Sequence, residues 1–132
     1  MMKRHGTTAG TGFVNDNFSL PSRYFQEYSF DGADKISEHA LEEKKYKKEA
    51  CSMCAFACKL PTQDEETGLE TEGPEYETVF SFGSNPEIDD IVDVMQSNEL
   101  CDTLGMDTIS AGNTISAYLA ANNEFGNADL VH

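Results

Sequence analysis

Three cysteines within eight residues, Cys51, Cys54 and Cys58, constrain this chain more than any other feature of its sequence. A turn with their x2 and x3 spacers can bring all three sulfurs to one side, where thiolates converge on a single metal centre. Free thiols rarely cluster this way by accident. The four cysteines of a chain without an export signal are better read as ligands or reduced thiols than as disulfides. The order of spacers is neither the x2, x2, x3 run of small bacterial ferredoxins nor the x3, x2 order of radical enzymes that use S-adenosylmethionine. A zinc ribbon needs a second Cys-x2-Cys pair, which is missing, and a Cys3His site would need His39, on a helix face turned to solvent. An iron–sulfur cluster is therefore the leading reading, with zinc or structural thiols as alternatives. Cys101 stands alone, on the apolar side of its helix, and reads either as a buried small hydrophobe or as a fourth ligand.

With 132 residues, 39% of them hydrophobic, the chain has material for one modest core. No stretch of about 18 apolar residues occurs, which excludes a helical membrane span. The opening MMKRHGTTAG is basic but has no apolar region behind it, so a cytoplasmic location is expected. A formal charge of −15 opposes contact with nucleic acid or anionic lipid. So large a surplus suggests either a salty cytoplasm or a neighbouring subunit or domain that covers part of the surface. Seven lysines among nine basic residues fit salt adaptation poorly.

Residues 1–32 show no sustained period and are expected to be irregular. They carry Phe13, Phe18, Leu20, Tyr24, Phe25, Tyr28 and Phe30, too many large apolar groups for a free tail, and therefore need a surface to pack on. From Asp34, Ile36, Ala40 and Leu41 share one helical face, and the charged EEKKYKK run is read as its solvated side. The acidic stretch from Pro61 to Gly73 reads as a loop, and TVFSFG at 78–83 as a short strand or a packed helical turn. Asn85, Pro86 and Glu87 signal a helix that continues through Ile88, Ile91, Val92 and Met95 to a cap at Gly105. A second helix follows Asp107 and runs through Ile115, Tyr118 and Leu119 towards Gly126. The fold class is thus mainly α, with a short helix junction carrying Asp102, Gly105, Met106 and Asp107 that is well placed to hold a ligand.

Several stretches taken together resemble the tungsten-containing aldehyde ferredoxin oxidoreductase family: LPSRYFQ, Gly32 to Ser37, CSMCAFAC, GPEYET, FGSN with IDD, and NELCDTLGMDTISAGNTI. They cover nearly the whole chain. The resemblance is to the middle α-helical part of much longer enzymes, so a fragment is expected, divided into an irregular aromatic segment at 1–32 and a partial iron–sulfur and pterin-binding domain at 33–132. It implies that Cys51, Cys54 and Cys58 supply three ligands of a [4Fe–4S] cluster, the fourth lying elsewhere than Cys101. It implies equally that Asp102, Gly105, Met106 and Asp107 match an Asp-x-x-Gly-Leu-Asp loop holding one of two pterins that chelate tungsten or molybdenum. A carboxylate pair suits the N–H donors of a pterin, and a glycine at a helix end lets backbone approach it; without a ligand the same residues form an ordinary stop and cap.

Family members also carry a glutamate near the metal, here Glu77 or Glu75, with Glu77 preferred on interval. The implied reaction converts an aldehyde and water to a carboxylic acid and passes electrons through the cluster to ferredoxin, the remainder of the enzyme chain being needed for activity. Ala55, Phe56 and Ala57 stand where Pro and Gly are common, Met106 where Leu is, and Ala111 where Thr is frequent. The alternative of a different class is a small non-enzymatic iron–sulfur or zinc protein that docks a partner through its acidic face.

Overall fold

The computed structural model describes residues 2–132 and is mainly α-helical. Its helices are α1 (Met2–His5), α2 (Thr11–Asp16), α3 (Glu38–Lys44), α4 (Tyr76–Val79), α5 (Ile91–Leu104) and α6 (Thr108–Asn122). Among the described residues no helix is long and apolar enough to cross a membrane. The core forms where α5 and α6 close over the segment that follows α4. Val79, Phe82, Ile91, Val94, Ala111 and Leu119 meet there, joined by Ile36 and Leu41 from the α3 region and by Val131.

Local chemistry sets the ends of the two long helices. Asp90 accepts a hydrogen bond from the Val92 amide and starts α5, and Gly105, at φ 66°, ends it in the left-handed conformation that glycine adopts at least cost. Asp107 accepts from the Ser110 amide and starts α6, which stops at Asn123 rather than reaching Gly126. Only two residues of backbone separate α5's last turn from the next cap, so the junction is tight.

Two local readings differ from expectation, and an open alternative is decided. The α5 helix begins at Ile91 and not near Asn85, because Asn85 is buried and otherwise engaged, and Glu87 sits at φ 63°, which no helix continues through. TVFSFG takes the helical alternative: α4 passes directly into a π-helical turn, Phe80–Ser84, closed by the Asn85 amide donating to the Phe80 carbonyl. Within the acidic stretch, two short antiparallel strands, β1 (Thr62–Gln63) and β2 (Glu70–Thr71), pair Thr62 with Thr71. The turn between them is built on Asp64, whose carboxylate accepts from the Thr67 amide and hydroxyl and pairs with Lys44 of α3.

The first 32 residues contain α1, a 3-10 turn and α2, followed by turns. Leu20 is buried, whereas Phe13, Phe18, Tyr24, Phe25 and Tyr28 stay exposed. Arg23, Tyr24 and Phe25 are successive left-handed residues, a strained turn held from outside. The Asn85 carbonyl accepts from the Tyr24 amide and its side-chain oxygen from the Phe25 amide, while Arg23 pairs with Glu87.

Candidate functional site

Four of the expected site carboxylates, which come from two separate parts of the sequence, reach one open cleft of about 460 Å³. Glu75 and Glu77 enter from the start of α4, Asp102 from the last turn of α5 and Asp107 from the cap of α6. Thr78, Asn98 and Thr108 also line it, and the Thr78 hydroxyl donates to the Thr108 hydroxyl across α4 and α6. The π turn that follows α4 also lies close to α6: a Cβ on Gly112 would sit 2.6 Å from the Ser81 carbonyl oxygen.

Each carboxylate has a distinct environment. Asp107 is engaged as a cap, and hydrogen bonds from the Ser110 side chain and amide hold its carboxyl below the usual range. Asp102 accepts from the Nδ2 of Asn98, a buried amide that also donates to Thr71, so the Asp102 carboxylate is fixed from below. Glu75 accepts from the Thr7 hydroxyl, which in turn accepts from the Tyr76 amide. Among the described residues the Glu77 side chain has no hydrogen-bond or ion-pair partner, and it is exposed to the cleft. Gly105 is exposed, with nothing within 4 Å of where its Cβ would be, but it is not part of the cleft lining. The Met106 amide donates back to the Cys101 carbonyl, and the Met106 side chain turns to a different, apolar pocket of about 160 Å³ that it shares with Leu104 and Cys101.

The cysteine run occupies the far end of a long, pinched loop between α3 and β1. Two isolated antiparallel bridges, Lys45 with Thr62 and Glu49 with Lys59, form its stem. Met53 and Ala57 turn the chain through left-handed conformations, and the Cys54 amide donates to the Cys51 carbonyl. Cys51 is exposed, Cys54 and Cys58 are half-buried, and all three are free thiols. The amides of Phe56 and then Ala57 donate to the Cys54 sulfur and lower the pKa of its thiol. Among the described residues, no three His, Cys, Asp or Glu side chains converge as a ready cation cage.

Cys101 does not join this run. It is buried in the core, and burial first, then Asp102 and Asp107, pushes its thiol up. His39, the alternative fourth zinc ligand, is exposed and packs its ring edge-on against His5 at 5.7 Å.

The loop carries the donor chemistry of an iron–sulfur cluster, three unpaired thiols on one short segment with amide hydrogen bonds directed at the Cys54 sulfur, but the expected convergence of the three sulfurs is not formed in this structure. The cleft offers acceptors for an organic ring rich in N–H groups, since two fixed carboxylates, Asp102 and Asp107, line it. Sequence reasoning passed over Lys59, which lies in the cleft wall, and Asn98, which holds Asp102. Lys59 carries one visible signal, its position directly after Cys58. The role of Asn98 depends on the fold of β2 against α5 and leaves no local trace.

The helical scaffold thus carries an acidic cleft whose wall includes Lys59, the residue after Cys58, and the comparisons identify the family. Residues 1–128 match the family described as aldehyde ferredoxin oxidoreductase, domains 2 & 3, and the chain belongs to that family. It is 36% identical over 121 residues to the tungsten-containing aldehyde ferredoxin oxidoreductase of Thermococcus kodakarensis, and 34% identical over 120 residues to that of Pyrococcus furiosus. These alignments cover 88% and 87% of this chain but only 19% of each relative. The chain therefore spans about a fifth of the length of the curated relatives it matches.

Proposed function

We propose that this chain forms part of a tungsten-dependent aldehyde oxidoreductase, in which it supplies three cluster ligands and one side of a pterin site. When bound, the metal–pterin group supplies two-electron oxidation of an aldehyde to a carboxylic acid, and a [4Fe–4S] cluster supplies single-electron exit towards ferredoxin. Cys51, Cys54 and Cys58 hold the cluster, with the fourth ligand outside this chain. Asp102 and Asp107 accept from ring N–H groups, and the exposed backbone at Gly105 lets the ring approach. Glu77, unpartnered at the cleft, holds or accepts the proton released as the aldehyde hydrate is oxidised, while Glu75, tied to Thr7, shapes the wall. The observation that carries this reading is the meeting of Glu77, Asp102 and Asp107 in a single cleft whose wall runs into the cysteine loop at Lys59.

The first test is anaerobic reconstitution of the 132-residue chain with ferrous iron, sulfide and an added thiol. A broad brown charge-transfer absorption is expected in the wild type and in Cys101→Ser, and is lost on replacing Cys51, Cys54 and Cys58 together by Ser. A colourless adduct that binds only zinc sinks the cluster assignment. For catalysis, the chain co-expressed with the polypeptides encoded on either side of it is expected to carry tungsten and reduce a dye in the presence of aldehyde. Glu77→Gln should lose at least 100-fold in rate with tungsten content retained, in line with the ordinary contribution of a general base.

A further inference from the structure

Asn98 is the buried amide of the cleft wall. It lies on α5 one helical turn before Asp102, so the two side chains are neighbours on one helix face. Asn98 is only 6% exposed, and both hydrogens of its Nδ2 are spent. One is donated to the Thr71 hydroxyl of β2 at 2.8 Å, the other to Asp102 Oδ2 at 3.1 Å. A carboxylate can only accept, so Asp102 dictates which end of the Asn98 amide is nitrogen.

That arrangement leaves the amide oxygen over. Among the described residues Asn98 Oδ1 receives no hydrogen bond, an uncommon state for a side chain so deeply buried. Asn98 shares the cleft lining with Asp102 and Asp107, so what it can add to their carboxylates is a further acceptor and not a donor. A ligand edge with adjacent N–H groups satisfies such a wall. An edge bearing an oxygen there sets acceptor against acceptor and leaves both without a hydrogen.

We infer that Asn98 is a specificity-determining residue of the cleft: its locked amide offers oxygen beside Asp102 and selects a ring that carries an amino group next to a ring N–H over one with oxygen in the amino position. This rests on the pterin reading above and names the part of the ring that is read. A pterin has its 2-amino group and N3–H side by side, whereas a lumazine or a flavin has a carbonyl oxygen in place of that amino group. Turning the Asn98 amide around does not rescue an oxygen-bearing ring, because it would set the amide oxygen against the Asp102 carboxylate and strand the Thr71 contact.

The test is a fluorescence titration of the 132-residue chain with two probes, pterin and lumazine. Wild type is expected to bind pterin at least about tenfold more tightly than lumazine, the difference one unmatched hydrogen bond makes. Asn98→Leu, close in volume and without polar atoms, is expected to bring that ratio close to one, and Thr71→Val, which keeps the Asn98 oxygen in place, to preserve it. A ratio in Asn98→Leu equal to that of wild type overturns the inference, since a merely structural amide changes stability and not the choice between probes. Equal affinity of wild type for the two probes overturns it without any variant, while the pterin reading stands. Failure of wild type to bind pterin overturns the underlying reading, and the inference with it. Where circular dichroism shows that Asn98→Leu does not fold, Asn98→Ser replaces it: its shorter side chain withdraws the oxygen, and a preference for pterin that survives there overturns the inference.

Discussion

The helix junction and the cysteine loop are built in opposite ways. At the junction, Gly105 closes α5 and Asp107 opens α6 through hydrogen bonds that are complete without any ligand. Residues 45–62 have two isolated bridges and two left-handed turns, and their tip exposes Met53 and Phe56 to solvent. A cap is self-sufficient because its partners are its own neighbours in sequence. A ligand loop is not, because what its side chains converge on lies outside the polypeptide. The helix junction is therefore preformed, whereas under the proposed function the cysteine loop is completed by what it binds.

That contrast breaks first at the base of the loop, where its position is fixed by backbone contact. Gly73 lies at φ 90° with the Leu60 carbonyl directly beneath it, so Gly73→Ala meets both conformational strain and a steric overlap. Together these should cost about 3 kcal/mol. Chemical denaturation is expected to show that loss, and a change below about 1 kcal/mol would mean that loop and cleft are not joined at this point.

A second anchor responds to pH. Asp64 ties the β1–β2 turn to α3, and the Lys44 ammonium, followed by the Thr67 hydroxyl and amide, holds its carboxyl down at about 2. An unfolded aspartate titrates near 4, at about 3.9. Its contribution is thus fully present above roughly pH 4 and is lost as pH falls through about 2. The unfolding temperature of Asp64→Asn should lie below that of wild type at neutral pH, with the gap closing in acid. A gap that stays constant from pH 6 to pH 2 would show that the carboxylate charge is not what holds the turn.

These elements differ in how far the sequence reveals them. The junction was legible because a glycine stop and an aspartate cap act on residues three or four positions away. The same logic misplaced the start of α5: Asn85 has a cap's chemistry but donates its side-chain amide to Asn113 and accepts from Phe25, partners 28 and 60 residues distant. The π turn was ambiguous since TVFSFG alternates weakly, and only the close approach of Gly112 to Ser81 shows why a wide helical turn sits there. The cysteines were visible as a set, and the cleft carboxylates through a family resemblance, but that Lys59, next to Cys58, lines the same cleft as those carboxylates is a tertiary fact.

Gly105→Ala has a smaller effect because strain acts alone. The left-handed φ of 66° persists, yet the added methyl meets open space. A loss of about 1 kcal/mol is expected. A loss as large as that at Gly73 would place an unrecognised packing partner at the junction.

The smallest structural change carries the sharpest distinction. Asp107 serves the fold as the α6 cap and, in the proposed site, serves a pterin as an acceptor. Asparagine caps a helix about as well as aspartate, since its side-chain oxygen still accepts from the Ser110 amide. It cannot offer two equivalent anionic oxygens to ring N–H groups. Asp107→Asn should therefore leave the unfolding temperature and helical content almost unchanged while weakening binding of a pterin probe followed by its fluorescence, whereas Asp107→Ala should lower both stability and binding. If Asn binds the probe as well as Asp while Ala does not, the cap alone accounts for Asp107, and the cleft recognises its ligand through Asp102 and backbone instead.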